Sequence, residues 1–228
     1  KSVLTEEQKE AYKVFKGWLK QTGKTQNTNF VLSGYAGSGK TYLSMRLLRI
    51  AEEAQLCWTV VAPTHKAVGV LRKALEKENL SPAWYPSTIH RLLRLRLKRK
   101  GYVEDFEKTE QTSNALEQLG LVLIDEASMI GNQFLKAIVD IVKDRSLRLL
   151  FIGDPFQLPP PVDKCSIFDG SLKTFRLTKV HRQIGDNPIL DKATEFRHFI
   201  EKTGPEPVLE NYINNNNEGI HILPHSEF

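Results

Sequence analysis

The stretch that most restricts the fold is "GYAGSGKT", Gly34 to Thr41, which follows the apolar run "NFVLSG" and leads into the helical pattern "KTYLSMRLLRIAEEA". An extended run, a glycine-rich turn and a helix in that order make one α/β unit. Further β-branched or continuous apolar runs occur at "WTVVAP", "LVLIDE" and "LRLLFIGD", with the helical "HKAVGVLRKALEK" among them. Strands alternating with helices predict a parallel sheet, and such sheets gather ligand chemistry at the carboxyl ends of their strands. Each of these runs ends in a loop rich in glycine, acids, hydroxyls or histidine.

The spacing of Gly34–Thr41 is G-x-x-x-x-G-K-[ST], not the G-x-G-x-x-G of a dinucleotide site. Gly34, Ala36, Gly37, Ser38 and Gly39 would turn backbone N–H groups around a phosphate chain at a helix N-terminus. Lys40 would neutralise the β- and γ-phosphates, and the Thr41 hydroxyl would ligate Mg²⁺. "LVLIDEASM" brings Asp125 and Glu126 to a second strand end, Asp125 to hold Mg²⁺ through water and Glu126 to polarise an attacking water. Paired acids beside such a loop favour hydrolysis of ATP or GTP over transfer to another acceptor. A third loop, Gly153-Asp154 with Gln157, offers an amide that can hydrogen-bond a γ-phosphate or the attacking water. Prolines 159–161 stiffen the far side of that loop.

With 228 residues, 40% of them hydrophobic, the chain can build one large core, or one core and part of a second domain. It shows no secretory apolar region and no apolar run long enough to span a membrane, so a soluble, cytoplasmic protein is expected, nucleoid-associated if bacterial. Cys57 and Cys165 lie in neither metal-like nor redox-like spacing, and Cys57 is expected as a small hydrophobe buried in a strand. A formal charge of +5 permits a polyanionic partner without requiring one. His221 and His225 lie in a strand-like tail and are not read as metal ligands.

Between Ser87 and Gly120 the pattern changes. "STIHRLL" predicts a short helix and "RLRLKRKGYVEDF" a hairpin turning at Lys100-Gly101. Arg94, Arg96 and Lys98 would share one strand face, with Arg99 and Lys100 at the turn. They form either a positive finger or a solvated hairpin paired with Glu104, Asp105 and Glu107. After Asp186 come a helix "NPILDKATEFRHFIEK", an Asn-rich loop and a lone strand "GIHILP", which reads as a further domain begun and cut off.

"LTEEQ", "GYAGSGKT", "VVAPTHKAV", "STIHRLL", "LVLIDEASM", "FIGDPFQLPPPV" and "LTKVHRQ" occur in an order that resembles superfamily-one DNA helicases, most of all the 5′-to-3′ branch with the RecD-like and Dda-like enzymes. The resemblance implies a RecA-like P-loop NTPase domain, a parallel sheet flanked by helices, with a small β-hairpin insertion and the truncated start of a second RecA-like domain. The boundaries would be 1–86 and 119–181 for the first motor domain, 87–118 for a wedge-like insertion, and 182–228 for the second. It assigns Gln8 to the adenine of ATP, and Lys40, Glu126, Gln157 and Arg182 to catalysis, Arg182 reaching the γ-phosphate. The position before it, where the family often stacks on the base, is His181, so that role is not carried over. Pro63, Thr64 and His65, with Thr88 and His90, match single-stranded DNA contacts, while Arg94 and Arg96 would face a duplex junction. RNA stays open as a partner, because backbone and stacking contacts need not read the 2′-OH. The family's later motifs are not found before Phe228, so this piece is expected to hydrolyse nucleotide poorly alone. A P-loop nucleotide switch, or a single-strand-binding module without unwinding, is the alternative.

Overall fold

A computed structural model describes residues 4–21, 28–94, 96–100, 103–107, 116–143, 145–157, 160, 163–179, 188–207, 212–213 and 219–220. The chain divides into two compact units, 1–180 and 181–228. The first begins with α1 (Glu6–Leu19), β1 (Asn29–Gly34), α2 (Lys40–Glu53), β2 (Trp58–Ala62) and α3 (His65–Lys77). Then come β3 (Ser87–Thr88), α4 (Ile89–Leu93), a hairpin of β4 (Arg96–Lys100) and β5 (Val103–Glu107), and β6 (Leu121–Ile124). A 3₁₀ turn (Ala127–Met129), α5 (Asn132–Val142), β7 (Arg148–Gly153) and β8 (Lys173–Leu177) complete it.

Six strands form one sheet in the order β3-β2-β6-β7-β1-β8, and every pairing in it is parallel. Side chains alternate across the sheet, so unbroken apolar strands mean that both faces are covered. Phe30, Leu32, Val60, Leu121, Leu123, Leu150 and Ile152 pack on one face with α1, α2 and α3. Their neighbours Val31, Val61, Val122, Ile124, Leu149 and Phe151 pack on the other with α4 and α5. The sheet is therefore the middle layer of three.

Helix α1 opens with a capping box: the Thr5 hydroxyl accepts the Gln8 N–H and the Gln8 carboxamide accepts the Thr5 N–H. Glu6 and Glu7 in its first turn suit the positive end of the helix. Phe15 and Trp18 from α1 meet Phe30 of β1, with ring centroids 5.3 to 5.8 Å apart. That cluster fixes α1 beside the strand that precedes the glycine-rich loop.

Several expectations need correction. Cys57 is exposed: β2 starts at Trp58, and Cys57 stays in the connector, its carbonyl taking the N–H groups of Gly120 and Leu121. Arg94 is not in the hairpin strand. It caps α4 in the left-handed region, at φ 47°, and this turns its side chain out of the β4 alternation. Arg99 and Lys100 are paired strand residues, opposite Glu104 and Val103. Two strands of the first unit, β3 and β8, went unforeseen. The first is two residues long; the second exposes most of its length and lacks an apolar run.

The second unit contains α6 (Pro188–Ile200) and a short antiparallel pair, β9 (Tyr212–Ile213) with β10 (Gly219–Ile220). The strand in "GIHILP" is thus not alone: Gly219 and Ile220 pair with Ile213 and Tyr212. His181, Arg182, His221, His225, Pro159 and Pro161 lie outside the described residues. No described helix is long and apolar enough to cross a membrane.

Replacing Phe15 by alanine should remove the centre of the α1–β1 aromatic cluster and cost about 3–5 kcal/mol in urea denaturation. Val70→Ala, on the exposed side of α3, should stay within about 0.5 kcal/mol of the parent.

Candidate functional site

Because the six strands run one way, the loops after β1, β2, β3, β6, β7 and β8 all leave from the same edge. The loop after β1 passes through positive φ at Gly37 (82°) and Gly39 (83°), a conformation glycine takes without strain. Gly39 is the N-cap of α2, which leaves the first N–H groups of that helix without intrahelical partners. A Cβ there would lie 2.6 Å from Gln8 Nε2. Gln8, only 4% exposed, therefore packs directly on the loop. Lys40 Nζ donates to the carbonyls of Gly34 (2.7 Å) and Tyr35 (2.9 Å), curling over the loop it follows. Ser38 Oγ is buried without a hydrogen-bond partner, and Thr41 is exposed in the first turn of α2.

At the end of β6, Asp125 accepts the Glu126 N–H at 2.9 Å. Glu126 sits in the left-handed region at φ 53°, a strained conformation for a side chain of its size. The Asp125 carboxyl is pushed up to about 6. Burial is the main cause, the Glu126 N–H opposes it, the Glu126 charge adds to it, and the nearby Lys40 ammonium opposes it. Lys40 and Asp125 are thus electrostatic neighbours, although 85 positions separate them in the sequence (125 minus 40).

Strand β7 lies between β6 and β1 and ties the two loops together. A Cβ on Gly153 would fall 3.2 Å from Ser128 N and 3.3 Å from Ala127 N, so the bare glycine admits the segment after Glu126. Asp154, 5% exposed, reaches the other way: its Oδ2 accepts the Ala36 N–H at 2.8 Å and its Oδ1 the Phe156 N–H at 3.0 Å. Ala36, expected to turn its N–H toward a phosphate, gives it to Asp154. The Gln157 N–H donates to the Asp154 carbonyl (3.2 Å), and the Gln157 residue is exposed.

Three residues that sequence reasoning missed brace the same loops. The Tyr35 and Phe156 rings meet at a tilt of 40°, with centroids 5.6 Å apart. The Arg176 guanidinium lies 5.3 and 5.5 Å from their ring centres and donates to the Tyr35 hydroxyl at 2.9 Å. Aromatic residues inside two polar loops were the available signal, but Arg176 had no place while β8 was unrecognised. Beyond β8, Glu7 of α1 accepts the Thr178 N–H and hydroxyl (both 2.8 Å) and the Lys179 N–H (3.3 Å). Burial pushes the Glu7 carboxyl up, but these bonds outweigh it and hold it below its ordinary range.

The residues matched to DNA contacts lie at the ends of β2 and β3. Thr64 caps α3 by accepting the Ala67 N–H (3.2 Å), and Thr88 caps α4 by accepting the Arg91 N–H (3.4 Å). Each hydroxyl can still donate its own proton. Pro63 is half-buried and His65 exposed, while the His90 ring stacks on Phe134 at 4.5 Å. Arg94 caps α4, and the hairpin register sets Arg96 opposite Glu107 and Lys98 opposite Asp105. Among the described residues no cluster of three or more His, Cys, Asp or Glu could cage a metal ion. A cation here would rest on the Thr41 hydroxyl, the Asp125 carboxylate and the ligand's own oxygens, the usual manner for Mg²⁺.

Comparison with known proteins gives the family and the fold. The AAA_30 family, described as an AAA domain, matches residues 3–206. An ATP-dependent RecD2 DNA helicase of Deinococcus radiodurans is 30% identical over 171 residues, covering 74% of this chain and 21% of that protein. An uncharacterized protein, R530, of Acanthamoeba polyphaga mimivirus is 32% identical over 153 residues, covering 59% of this chain and 30% of the relative. Among solved structures, the Pif1 helicase from Candida albicans superposes with a TM-score of 0.62 at 19% identity, over 86% of this chain and 44% of that one. Bacteroides Pif1 bound to single-stranded DNA gives 0.61 at 21% identity, over 90% and 48%. The fold is RecA-like, and the chain spans less than half the length of each of these proteins.

The folded pKa of Asp125, about 6, stands above its ordinary 3.8. Between those values the folded chain keeps a proton that the unfolded chain releases, so stability falls as pH rises through that window. Asp125→Asn should therefore stabilise the ligand-free protein at pH 7.5 by about 1–3 kcal/mol, and the gain should shrink toward zero as the pH is lowered to about 4. Urea denaturation across pH measures both.

Proposed function

We infer function from a family: this chain belongs to the AAA_30 family of AAA domains, and we propose that it is the ATP-hydrolysing motor domain of a 5′-to-3′ DNA helicase of the RecD and Pif1 kind. The observation that carries the proposal is the Asp154 carboxylate, which joins the Lys40 loop to the Gln157 loop through the Ala36 N–H. A nucleotide site bonded to a second loop on the same sheet edge is what a motor needs and what simple nucleotide storage does not. The named helicase activities of the RecD2 and Pif1 relatives, and the single-stranded DNA bound to one Pif1, support the same reading.

In this reading the triphosphate lies in the loop 34–41, against the first turn of α2. Lys40 exchanges the Gly34 and Tyr35 carbonyls for β- and γ-phosphate oxygens, and Ser38 gains an acceptor for its orphaned hydroxyl. Gln8, packed against Gly39, favours adenine and so ATP. The donor set suits Mg²⁺: Thr41 and Asp125 offer hard oxygen ligands, and a carboxylate pushed up to about 6 is one that a nearby cation would return to its charged form. Mg²⁺ bound there would supply charge neutralisation to the phosphates. Glu126, held out of ordinary backbone geometry, polarises the attacking water. Gln157 hydrogen-bonds the γ-phosphate or that water; the family resemblance assigns Arg182 the role of a further cation. Pro63, Thr64, His65, Thr88 and His90 would meet the strand at the ends of β2 and β3. Loss of the γ-phosphate would shift Gln157, and Asp154 would pass the shift to Ala36 and the phosphate loop.

In the full-length protein, single-stranded DNA should stimulate ATP hydrolysis several-fold or more. Glu126→Gln should lower kcat by about 10²-fold or more while nucleotide binding, read by a fluorescent ATP analogue, stays near the parent. Hydrolysis indifferent to single-stranded DNA would point instead to a nucleotide switch.

A further inference from the structure

The segment after α3 carries an exposed aromatic step that the nucleotide site does not use. Tyr85 is 72% exposed and Trp84 36%, whereas the other two tryptophans, Trp18 and Trp58, are buried at 1% and 2%. The step is firmly held. The Ala83 N–H bonds the Trp58 carbonyl (2.8 Å), and the Thr59 hydroxyl donates to the Trp84 carbonyl (2.8 Å). Under the tyrosine ring lies Arg72, its guanidinium carbon 4.2 Å from the ring centre and its Nη2 bonded to the Pro86 carbonyl at 2.8 Å. Arg72 occupies one face of the ring, and the exposure of Tyr85 leaves the other open.

The charge around the step is uncompensated. Helix α3, "HKAVGVLRKALEK", carries Lys66, Arg72, Lys73 and Lys77 against one acid, Glu76. None of these four cations forms an ion pair among the described residues. His65, Gly69 and Arg72 succeed one another at helical spacing down one side of α3, starting next to Thr64. A Cβ on Gly69 would meet nothing within 4 Å, so the row is flat between His65 and Arg72. The chain from Tyr85 then leads through Pro86 to Ser87 and Thr88 on the edge strand β3.

We propose that Tyr85, braced by Arg72 and flanked by Trp84, is a base-stacking step for single-stranded nucleic acid. It extends along the outer edge of the sheet the path expected at Thr64, His65 and Thr88. The proposal rests on the helicase reading for its ligand class, but its observations are separate from the nucleotide site. Stacking on a free aromatic face tolerates any base, and unpaired lysines nearby suit a phosphate backbone. A cation fixed beneath the ring keeps the tyrosine from turning, so the stacking face is formed before the strand arrives. An acidic peptide would use the lysines but has no need of an open ring face.

The test uses the full-length protein, a fluorescein-labelled oligo(dT) read by anisotropy, and tryptophan emission. Oligo(dT) should quench the emission, and the quench should vanish in Trp84→Phe. Tyr85→Ala should weaken oligo(dT) binding roughly tenfold, while Tyr85→Phe, which keeps the ring, stays within roughly twofold of the parent. ATPase without DNA should be the same in all three variants, and matching thermal melts show that each folds. Parent-like binding by Tyr85→Ala, or emission blind to saturating oligo(dT), would overturn the stacking step and leave the helicase reading intact. Failure of the parent protein to bind oligo(dT) would overturn both. Poly-glutamate competing as well as oligo(dT) of equal charge would overturn it in favour of an acidic protein partner.

Discussion

Asp154 gathers two backbone N–H groups onto one buried carboxylate, from Ala36 at 2.8 Å and from Phe156 at 3.0 Å, and the geometry of the sheet edge depends on that sharing. A hydrogen bond to a charged acceptor is worth about 1.5–3 kcal/mol net, and a buried carboxylate deprived of its donors costs more than the bond was worth. The loop after β7 therefore cannot shift far without either drawing the phosphate loop with it or stranding the charge. Strand order makes this possible. With β7 between β6 and β1, a single strand end touches both partners: Gly153 by having no side chain, Asp154 by having a short charged one. The Tyr35–Phe156 ring contact beside Arg176 adds a second link between the same two loops.

Much of this was legible because parallel α/β sheets impose strong local signals. The apolar runs at β1, β2, β6 and β7 had to be continuous, since both faces are buried, and each ended in the loop that the motif reading had singled out. The illegible parts carry weak or divided signals. Cys57 ends a connector and precedes a buried strand, and the period-2 pattern does not say on which side of Trp58 the sheet begins. Arg94 continues the alternation of Arg96 and Lys98 on paper, yet a single left-handed residue removes it from the strand. Strand β8 buries only Leu177 fully, because it sits at the sheet edge, where exposure erases the apolar run. The Asp154–Ala36 bond joins positions 118 apart; no local pattern encodes it.

The distribution of positive charge separates two surfaces that look alike in the sequence. In the hairpin, register sets Arg96 opposite Glu107, Lys98 opposite Asp105 and Arg99 opposite Glu104, so three of the four strand cations have an acid across the ladder, and the element tends toward local neutrality. On α3 the cations have no such partners among the described residues, and the helix starts at the very loop, 63–65, that the strand-contact reading selects. A net charge of +5 conceals this contrast, because the polyanion responds to where the charge is left uncompensated.

Three local costs coincide at the nucleotide edge: an Asp125 carboxyl driven up to about 6, a Glu126 backbone at φ 53° and a Ser38 hydroxyl buried without a partner. Each is unfavourable in isolation, and all three lie in the loops that follow β1 and β6. A cation relieves the first, because it restores the charged carboxylate. A phosphate oxygen relieves the third, because it accepts the hydroxyl proton. The second sets Glu126, the residue proposed to polarise the attacking water, in a backbone conformation that a side chain of its size seldom adopts. In the proposed reading one ligand, a cation-bound polyphosphate in the Gly34–Thr41 loop, would relieve the first and the third, and strain that a single ligand relieves at more than one point is how a fold stores preference for that ligand.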